Sequence, residues 1–379
     1  MTSIPSRSFF RRFTTRKKVK ADTILRVSTF PTIDKPGMGL HPSQLCGIDN
    51  FHTVFLTPKE SSQRLKVSGS FELCDFDFLL DARPIKGYFF TKAVFHIKRI
   101  LSLVRFSLYG IRLVFSRDVD IVHIHSPMYM LIAFAGFILK KRVYITFHGT
   151  DFHRIKNSIL YRLFGKIFTK VFAISPDMLE ILSKVHGSDN VILVRNGINL
   201  DIYKNHHINR KKQIIAVGEL KIEKGFEYLI EAFSNLIKND AIQNYSLIIV
   251  GDGLLKESLQ ERINSLNISN FIHLLGRKNR DDLIDLYNQS EIFALSSISE
   301  GFPKVLLEAI SCGCNIVSTD VGAVHSVLPN VILARPKKVQ DLEVALKKCI
   351  NFNCKLDIDL NKFSWEGVRA TYYEEYTRS

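Results

Sequence analysis

Short runs of β-branched and apolar residues alternate with longer amphipathic stretches along most of the chain. The short runs predict strands at 24–29, 119–124, 143–147, 170–174, 191–194, 213–217, 246–250, 271–274, 292–295 and 315–318. The longer stretches have helical apolar periodicity and predict helices at 42–49, 88–116, 156–168, 176–185, 225–238, 254–265, 280–289, 303–311 and 338–351. Such alternation is typical of parallel sheets covered by helices on both faces, which bind ligands at the carboxyl ends of their strands.

A polar segment at 203–212 separates two sets of predicted elements. The chain has 379 residues, which is long enough for two domains that each bury a core. We therefore predict an α/β protein of two Rossmann-like, doubly wound domains that face each other across a cleft. The first domain would span 22–204 and the second 205–362, and a basic, aromatic extension at 1–21 would precede them.

The composition excludes several classes of protein. An apolar content of 46% with only 11 prolines excludes a mainly disordered chain. No window holds 18 uninterrupted apolar residues, and the best candidate, 128–139, is too short to span a membrane and predicts a buried helix. The N-terminus lacks the apolar core of a secretory signal, and the six cysteines include no CxxC pair, so we expect reduced thiols in the cytosol.

The net charge of +15 comes entirely from the first half of the chain. Residues 1–204 carry 31 Lys and Arg against 15 Asp and Glu, whereas residues 205–379 are nearly neutral. This asymmetry indicates a polyanionic partner near the first domain: an anionic membrane, a nucleic acid or a phosphorylated substrate. The sequence contains no zinc-finger, RNA-recognition or helix-turn-helix signature, which disfavours nucleic acid.

Two segments concentrate the positive charge. In 7–20, cations that include Arg11 and Arg12 alternate with phenylalanines, which suits an interfacial membrane anchor but also a disordered tail. In 91–117, cations recur every seven residues and share one face of the predicted helix; they are Lys98, Arg105 and Arg112. This face fits an anionic membrane surface, although an ordinary solvated helix would have the same pattern.

The turn after the predicted strand 213–217 suits a phosphate. Gly218 ends the strand, and Lys224 and Gly225 precede an amphipathic helix. Backbone N–H groups at a helix N-terminus attract anions, and a lysine adds a full charge. A simple turn with a surface lysine would give the same pattern.

A second turn, at 299–309, follows the predicted strand 292–295. Its Gly-Phe-Pro segment is expected to begin a helix, because proline is tolerated in the first turn. Glu300 would lie in the loop at the mouth of this helix, and Glu308 would lie inside the helix on the same crevice. Two carboxylates placed there offer acceptors for the hydroxyls of a sugar and a ribose.

In their order and spacing these segments resemble the retaining GT-B glycosyltransferases of family 4, over nearly the whole chain after about residue 22. The matching segments are 120–125 (DIVHIH), 148–151 (HGTD), 175–176 (SP), 195–198 (RNGI), 217–225 (VGELKIEKG), 249–253 (IVGDG), 300–308 (EGFPKVLLE), 318–322 (STDVG) and 363–366 (FSWE). In the family the last segment precedes a terminal helix that crosses back onto the first domain. The resemblance implies such a helix at 363–379.

The resemblance also implies a role for each matching residue. His148 would lie beside the reacting sugar carbon and assist through its backbone carbonyl, and Glu300 would bind the donor-sugar hydroxyls, so these two are the catalytic candidates. Glu308 would hold the ribose, Lys224 would neutralise the leaving diphosphate, and Asp151 would bind the acceptor or cap a helix. The remaining donor contacts would come from Gly37, Gly39, Gly251, Gly253, Arg277, Gly301, Phe302 and Pro303.

The chain departs from the family pattern at two places. Glu219 stands where similar enzymes commonly carry arginine, so one phosphate-binding cation is missing. Diphosphate binding would then depend more on Lys224, Arg277 and helix N-termini. After Gly322 the chain reads AVHS instead of the usual Gly-x-Pro-Glu, which leaves the donor contacts there open.

No metal and no cofactor are expected. His123 and His125 form a His-x-His pair, for which a structural role at a strand end is expected over metal binding. The sequence marks no third ligand, and the resembled family uses no metal.

These features lead us to expect a retaining, metal-independent glycosyltransferase of hexosyltransferase type. The donor would be a nucleotide-diphosphate sugar, and the acceptor a lipid-linked glycan or lipid in surface polysaccharide or glycolipid synthesis. The enzyme would work as a peripheral protein on the cytosolic face of an anionic membrane. A non-catalytic module of the same fold, which binds nucleotide or partner enzymes, is the alternative that Glu219 favours; nucleic-acid binding rests on charge alone.

Overall fold

The computed structural model describes residues 22–29, 40–46, 48, 51–58, 71–76, 89–148, 165–239, 242, 244–300, 302–352, 354 and 356–378. Six of the predicted site residues lie outside these ranges: Arg11, Arg12, Gly37, Gly39, Asp151 and Gly301. The roles expected of these six stay predictions.

The first domain is built on a parallel sheet of seven strands in the order β3-β2-β1-β4-β5-β6-β7. The strands are β1 (Asp22–Val27), β2 (Phe51–Pro58), β3 (Phe71–Phe76), β4 (Ile121–Ile124), β5 (Arg142–Phe147), β6 (Lys170–Ala173) and β7 (Val191–Leu193). The helices described with it are α1 (Leu40–Gln44), α2 (Phe89–Ser116), α3 (Met130–Ile138) and α4 (Pro176–His186). The strand order reverses between β1 and β4, which opens a crevice at their carboxyl ends.

The second domain is built on a parallel sheet of six strands in the order β10-β9-β8-β11-β12-β13. The strands are β8 (Lys211–Val217), β9 (Ser246–Val250), β10 (Ile272–Leu274), β11 (Ser290–Leu295), β12 (Asn315–Thr319) and β13 (Ile332–Ala334). The helices are α5 (Phe226–Lys238), α6 (Lys256–Ser265), α7 (Arg280–Gln289), α8 (Lys304–Ser311), α9 (Val324–Val327) and α10 (Val339–Phe352). Separate apolar clusters cover the two faces of this sheet.

The predicted fold class is confirmed, because both sheets are parallel and each follows the doubly wound pattern. The sequence analysis missed three strands, β2, β3 and β13. β2 and β3 extend the first sheet beyond β1, and β13 forms the edge of the second sheet.

The last helix, α11 (Trp365–Arg378), packs on the first sheet, although it follows the elements of the second domain in the chain. Tyr372 and Tyr376 are fully buried among residues of β1, β4, β5 and β6. The guanidinium of Arg142, on β5, donates to the backbone carbonyl of Tyr376. The chain therefore passes from the first domain to the second and returns.

Helices α2 and α3 pack against each other and present apolar side chains to solvent. On α2 the exposed apolar residues are Ile97, Ile100, Leu101, Val104, Leu108 and Phe115. On α3 they are Leu131, Phe134, Phe137 and Ile138, whereas Ile132, Ala133 and Gly136 are buried. The expectation of a buried helix at 128–139 is therefore wrong for one side of α3. Within the described ranges, no helix is both long and apolar enough to cross a membrane.

We call these exposed apolar residues, together with Lys98, Arg105 and Arg112, the α2–α3 face. All three cations are exposed, as the seven-residue spacing predicts. At 100° per residue they flank the apolar stripe of α2 along one side. The surface is thus amphipathic along the helix, with rows of cations and apolar groups side by side.

Candidate active site

Lys224 and Glu300, which follow β8 and β11, meet at the carboxyl edge of the second sheet. The Lys224 ammonium donates a hydrogen bond to Oε1 of Glu300 and forms an ion pair with it. The Ser297 hydroxyl donates to the same oxygen over 2.9 Å. Both charged side chains are largely buried, with exposed fractions of 18% and 16%. The carboxylate is therefore held in one orientation before any ligand binds.

Backbone contacts fix the two loops that carry this pair. The amide of Ile298 donates to the carbonyl of Glu223 over 2.8 Å, and the Ser296 hydroxyl donates to the carbonyl of Lys224 over 2.9 Å. Gly225 has a positive φ of 59°, and a Cβ there would lie 2.3 Å from the Ser296 carbonyl oxygen. Only glycine fits this close approach of backbone to backbone.

Glu308 lies on α8, and its carboxylate accepts hydrogen bonds from two tyrosines. The Tyr287 hydroxyl donates to Oε2 over 3.1 Å, and the Tyr203 hydroxyl provides a second hydrogen bond. Burial raises the pKa of Glu308, while these hydrogen bonds and the nearby Lys304 act in the opposite direction. Tyr203 belongs to the polar segment predicted as a linker, so part of that segment belongs to the site.

Lys304 begins α8, one turn before Glu308. It is half-buried, and burial lowers its pKa while the Glu308 carboxylate raises it. Its charge acts on His148 and His41 across the cleft, where it lowers the pKa of both imidazoles. In the part of the chain that the structure describes, the Lys304 ammonium has no side-chain hydrogen bond and no carboxylate within 4 Å.

His148 follows β5 and stands at the carboxyl edge of the first sheet. Burial and then the charge of Lys304 lower its pKa to about 4, so the imidazole is neutral at neutral pH. Its Nε2 lies 3.5 Å from Nδ1 of His125, and its ring meets that of His41 at 5.4 Å between centroids. The predicted catalytic histidine therefore faces Lys304 of the other domain.

A buried polar cluster lies behind His148. Arg26 is fully buried, and its Nη1 donates to Nδ1 of His123 over 3.0 Å and to Nε2 of His125 over 3.3 Å. Because a guanidinium only donates, both imidazoles accept and are neutral, in keeping with the lowering of their pKa by burial. His123 also contacts Thr146 and the Tyr376 hydroxyl. Both histidines are thus packed into the interior at the end of β4.

The other described donor-site candidates lie around the same edge. A Cβ on Gly251 would lie 1.8 Å from the Gly218 carbonyl oxygen, and one on Gly253 would lie 2.5 Å from that of Leu220. Because these two glycines have no side chain, the loops after β8 and β9 can pack against each other with their backbones in close contact. Phe302 packs half-buried beneath α8, Pro303 caps α8, and Arg277 is exposed after β10.

The family departure at Glu219 is visible in the structure. Its carboxylate is exposed and forms an ion pair with Lys221 over 3.0 Å. The two lysines of the same loop are each paired with a carboxylate, Lys221 with Glu219 and Lys224 with Glu300. Among the described residues, no group of three His, Cys, Asp or Glu side chains is arranged to hold a metal ion.

Several residues of the site escaped the sequence analysis: Arg26, His41, Tyr203, Tyr287 and Lys304. For Lys304 a signal was present, since it lies four residues before Glu308 and therefore shares its helix face. For the others, only the fold brings together positions that are far apart in the chain.

Two family models match the chain. The model described as "Glycosyl transferases group 1" matches residues 199–362, and the one described as "Glycosyltransferase Family 4" matches residues 76–202. Together they span residues 76–362, which include most of the second domain and the larger part of the first.

Relatives and solved structures agree with these matches. An uncharacterised glycosyltransferase of Methanocaldococcus jannaschii is 28% identical over 305 residues, which cover 74% of this chain and 83% of that protein. An N-acetylgalactosamine-N,N'-diacetylbacillosaminyl-diphospho-undecaprenol 4-alpha-N-acetylgalactosaminyltransferase of Campylobacter jejuni is 34% identical over 150 residues, 39% of this chain and 37% of the relative. The crystal structure of Anabaena HepE with UDP and glucose superimposes with a TM-score of 0.65 at 16% identity, over 93% of this chain and 99% of that one.

Proposed function

Because the chain belongs to the GT-B glycosyltransferases of group 1 and family 4, we propose that it is a retaining hexosyltransferase that uses a nucleotide-diphosphate sugar without a metal ion. The observation that carries this proposal is the convergence of Glu308, the Lys224–Glu300 pair and His148 on one cleft. These groups supply acceptors for hydroxyls and a cation for a diphosphate, with a neutral imidazole on the opposite wall.

In this proposal the donor lies along the carboxyl edge of the second sheet. Glu308, held by Tyr287 and Tyr203, accepts from the ribose hydroxyls. Glu300 accepts from the sugar hydroxyls, and Lys224 stabilises the diphosphate as the glycosidic bond breaks. The structure of HepE with UDP and glucose supports a nucleotide of this class, since that protein shares the fold.

The transfer breaks the bond between the anomeric carbon and the diphosphate oxygen, and it forms a bond from the acceptor oxygen to the same face of that carbon. The acceptor proton leaves with the diphosphate. The main tasks of the protein are then to position both substrates and to stabilise the charge of the leaving group. A neutral His148 suits this step, because it adds no positive charge beside the anomeric carbon, where positive charge develops as the glycosidic bond breaks.

We propose that the acceptor is a lipid-linked glycan or lipid in surface polysaccharide or glycolipid synthesis, and that the enzyme meets it on the cytosolic face of an anionic membrane. The α2–α3 face supports this, because exposed Leu101, Leu108 and Phe115 suit the headgroup boundary and the adjacent cations suit anionic lipid. The name of the Campylobacter relative describes a diphospho-undecaprenol-linked acceptor. The excess charge of the first domain fits the same surface.

One observation favours a second candidate function, a nucleotide-binding module without catalysis. Glu219 removes a cation that similar enzymes use, and Lys221 rather than a ligand pairs with it. Such a module would bind nucleotide sugars and release no product.

A donor screen separates the two functions. The full-length protein is incubated with a panel of nucleotide-diphosphate sugars and anionic vesicles that carry lipid-linked glycans, and products are followed by mass spectrometry. We expect one donor to give a glycosylated lipid whose new linkage has the anomeric configuration of the donor by NMR. Inverted configuration would contradict retention, and binding without product would favour the module.

A further inference from the structure

We propose that Lys304 is a ligand of the donor diphosphate. It would supply the positive charge that an arginine commonly supplies at the position of Glu219 in similar enzymes. The inference rests on the proposed function and deepens it. It starts from the position of Lys304 between two predicted contact points, Glu308 on its own helix and His148 across the cleft.

The helix geometry matches the chemistry of the donor. Lys304 and Glu308 lie four residues apart, so their side chains share a face of α8 and are separated by about one turn. In a nucleotide-diphosphate sugar the ribose, diphosphate and sugar follow in that order. With the ribose at Glu308 and the sugar beside His148, the group between them is the diphosphate, and Lys304 acts electrostatically on both end points.

The charges in the cleft leave this role to Lys304. Lys224 is bound to Glu300, which neutralises part of its charge. Glu219 brings a negative charge and is occupied by Lys221. Lys304, by contrast, has no carboxylate within 4 Å among the residues with described positions. Its position facing His41 and His148 is costly for a cation, since burial disfavours its charged form. An incoming diphosphate would remove that cost.

A lipid-linked acceptor can also carry a diphosphate, so the same ligand chemistry has two sources. The position next to Glu308 favours the donor, since the ribose and the diphosphate belong to one molecule. The experiment therefore measures the donor and the acceptor separately.

The test uses isothermal calorimetry on the full-length protein with UDP, GDP, ADP and CDP, each paired with its monophosphate. Lys304→Met keeps the length of the side chain and removes the charge, and Lys304→Arg restores a cation. Lys347→Met, on the exposed side of α10, is the matched control. We expect Lys304→Met to lower the affinity for each diphosphate about tenfold or more, as for the loss of a charge-assisted hydrogen bond. The affinity for the corresponding monophosphate should fall by less than about threefold. Lys304→Arg should recover much of the affinity.

A compensating change sharpens the test. Adding Glu219→Arg to Lys304→Met should restore affinity for the diphosphate, because it returns a cation to the family position. Equal diphosphate affinity of Lys304→Met and the wild type, in a wild type that binds and transfers, would overturn this inference and leave the proposed function standing. A raised KM for the lipid acceptor with unchanged donor affinity would also overturn it, in favour of the acceptor diphosphate. A wild type that binds none of the four diphosphates would sink the proposed function and this inference together.

Unchanged monophosphate binding and an unchanged melting temperature would show that Lys304→Met is folded. If Lys304→Met loses monophosphate binding and its melting temperature falls, the single variants Lys304→Arg and Glu219→Arg test the inference in its place. Stronger diphosphate binding by Glu219→Arg together with retained binding by Lys304→Arg would support the inference. No gain from Glu219→Arg, or full loss in a folded Lys304→Arg, would contradict it.

Discussion

The hydroxyl of Tyr287 donates a hydrogen bond of 3.1 Å to Oε2 of Glu308, in a pocket where Tyr287 is fully buried. This bond orients the carboxylate that is proposed to hold the ribose. We expect Tyr287→Phe to keep the fold and to weaken nucleoside-diphosphate binding about tenfold or more, since a hydrogen bond to a charged group is worth about 1.5–3 kcal/mol. Calorimetry measures the change.

The chain offers a matched control for this variant. The Tyr245 hydroxyl donates to Oε2 of Glu291 over 2.8 Å, at a distance from the cleft. Tyr245→Phe removes the same type of hydrogen bond and should leave nucleotide affinity unchanged. Equal losses of affinity in both variants would mean that Tyr287 acts on stability and not on Glu308.

The carboxylate of Glu308 is itself expected to be essential for transfer. Glu308→Ala removes the ribose acceptor and leaves Tyr287 and Tyr203 unpaired in a buried site. We expect the rate of sugar transfer, measured with a radiolabelled donor, to fall at least about 100-fold, as for loss of a buried charged partner. Glu257→Ala, on an exposed position of α6, should retain the full rate. A Glu308→Ala enzyme with an unchanged rate would remove the basis of the assignment.

The stability of the protein should fall at mildly acidic pH because of His148. Its pKa is lowered from 6.5 to about 4 in the folded protein. Above pH 6.5 neither state holds the extra proton, so His148 has no effect there. Between pH 6.5 and about 4 the unfolded chain takes up a proton that the folded protein excludes, and the free energy of unfolding falls.

Urea unfolding at pH 7, 6 and 5 tests this dependence. His148→Asn should flatten the loss of stability between pH 7 and 5, while part of the slope remains from the buried His41, His123 and His125. His52→Asn, at an exposed position of β2, should follow the wild-type curve. A His148→Asn curve parallel to that of the wild type would show that this imidazole does not titrate as proposed.

The α2–α3 face should bind anionic vesicles. Replacing Lys98, Arg105 and Arg112 with glutamine should weaken vesicle binding by up to about 3 kcal/mol, at about 1 kcal/mol per cation near the surface. Sedimentation with phosphatidylglycerol vesicles at low and moderate salt measures the effect. The loss should be largest at low salt, because salt screens exposed charges.

The apolar part of this face is tested by replacing Leu108 and Phe115 with serine. Serine at Leu254 and Phe352, which are exposed on the second domain, provides a control of equal chemistry. We expect the first pair to release the protein from vesicles and the second pair to have no effect. If only deletion of residues 1–20 weakens binding, the anchor is the N-terminal extension and not the α2–α3 face.

The sequence predicted the architecture because it rests on local patterns. Glu300 and Lys224 each follow a strand of one parallel sheet, so their loops had to share an edge, and the structure places them in contact. The helix that begins directly after the Glu300 loop, α8, carries Glu308, so the position of Glu308 on the same crevice could also be predicted. The roles assigned to these residues stay predictions, which the experiments above address.

The features that were missed depend on distance or on the absence of a pattern. α3 has apolar residues on every side, and a run without polar positions does not indicate which face is exposed. Arg26 meets His123 and Tyr376, which lie 97 and 350 residues away in the chain, and no local signal links them.

The return of α11 to the first sheet has a consequence for biosynthesis. Tyr372 and Tyr376, which complete the surroundings of Arg26 and His123, are synthesised after the whole of the second domain. The guanidinium of Arg26 in the nascent first domain is therefore incompletely enclosed until the whole second domain has been synthesised. Translation that stops short of residue 365 would leave the earlier-made half unfinished, even though every one of its own strands is present.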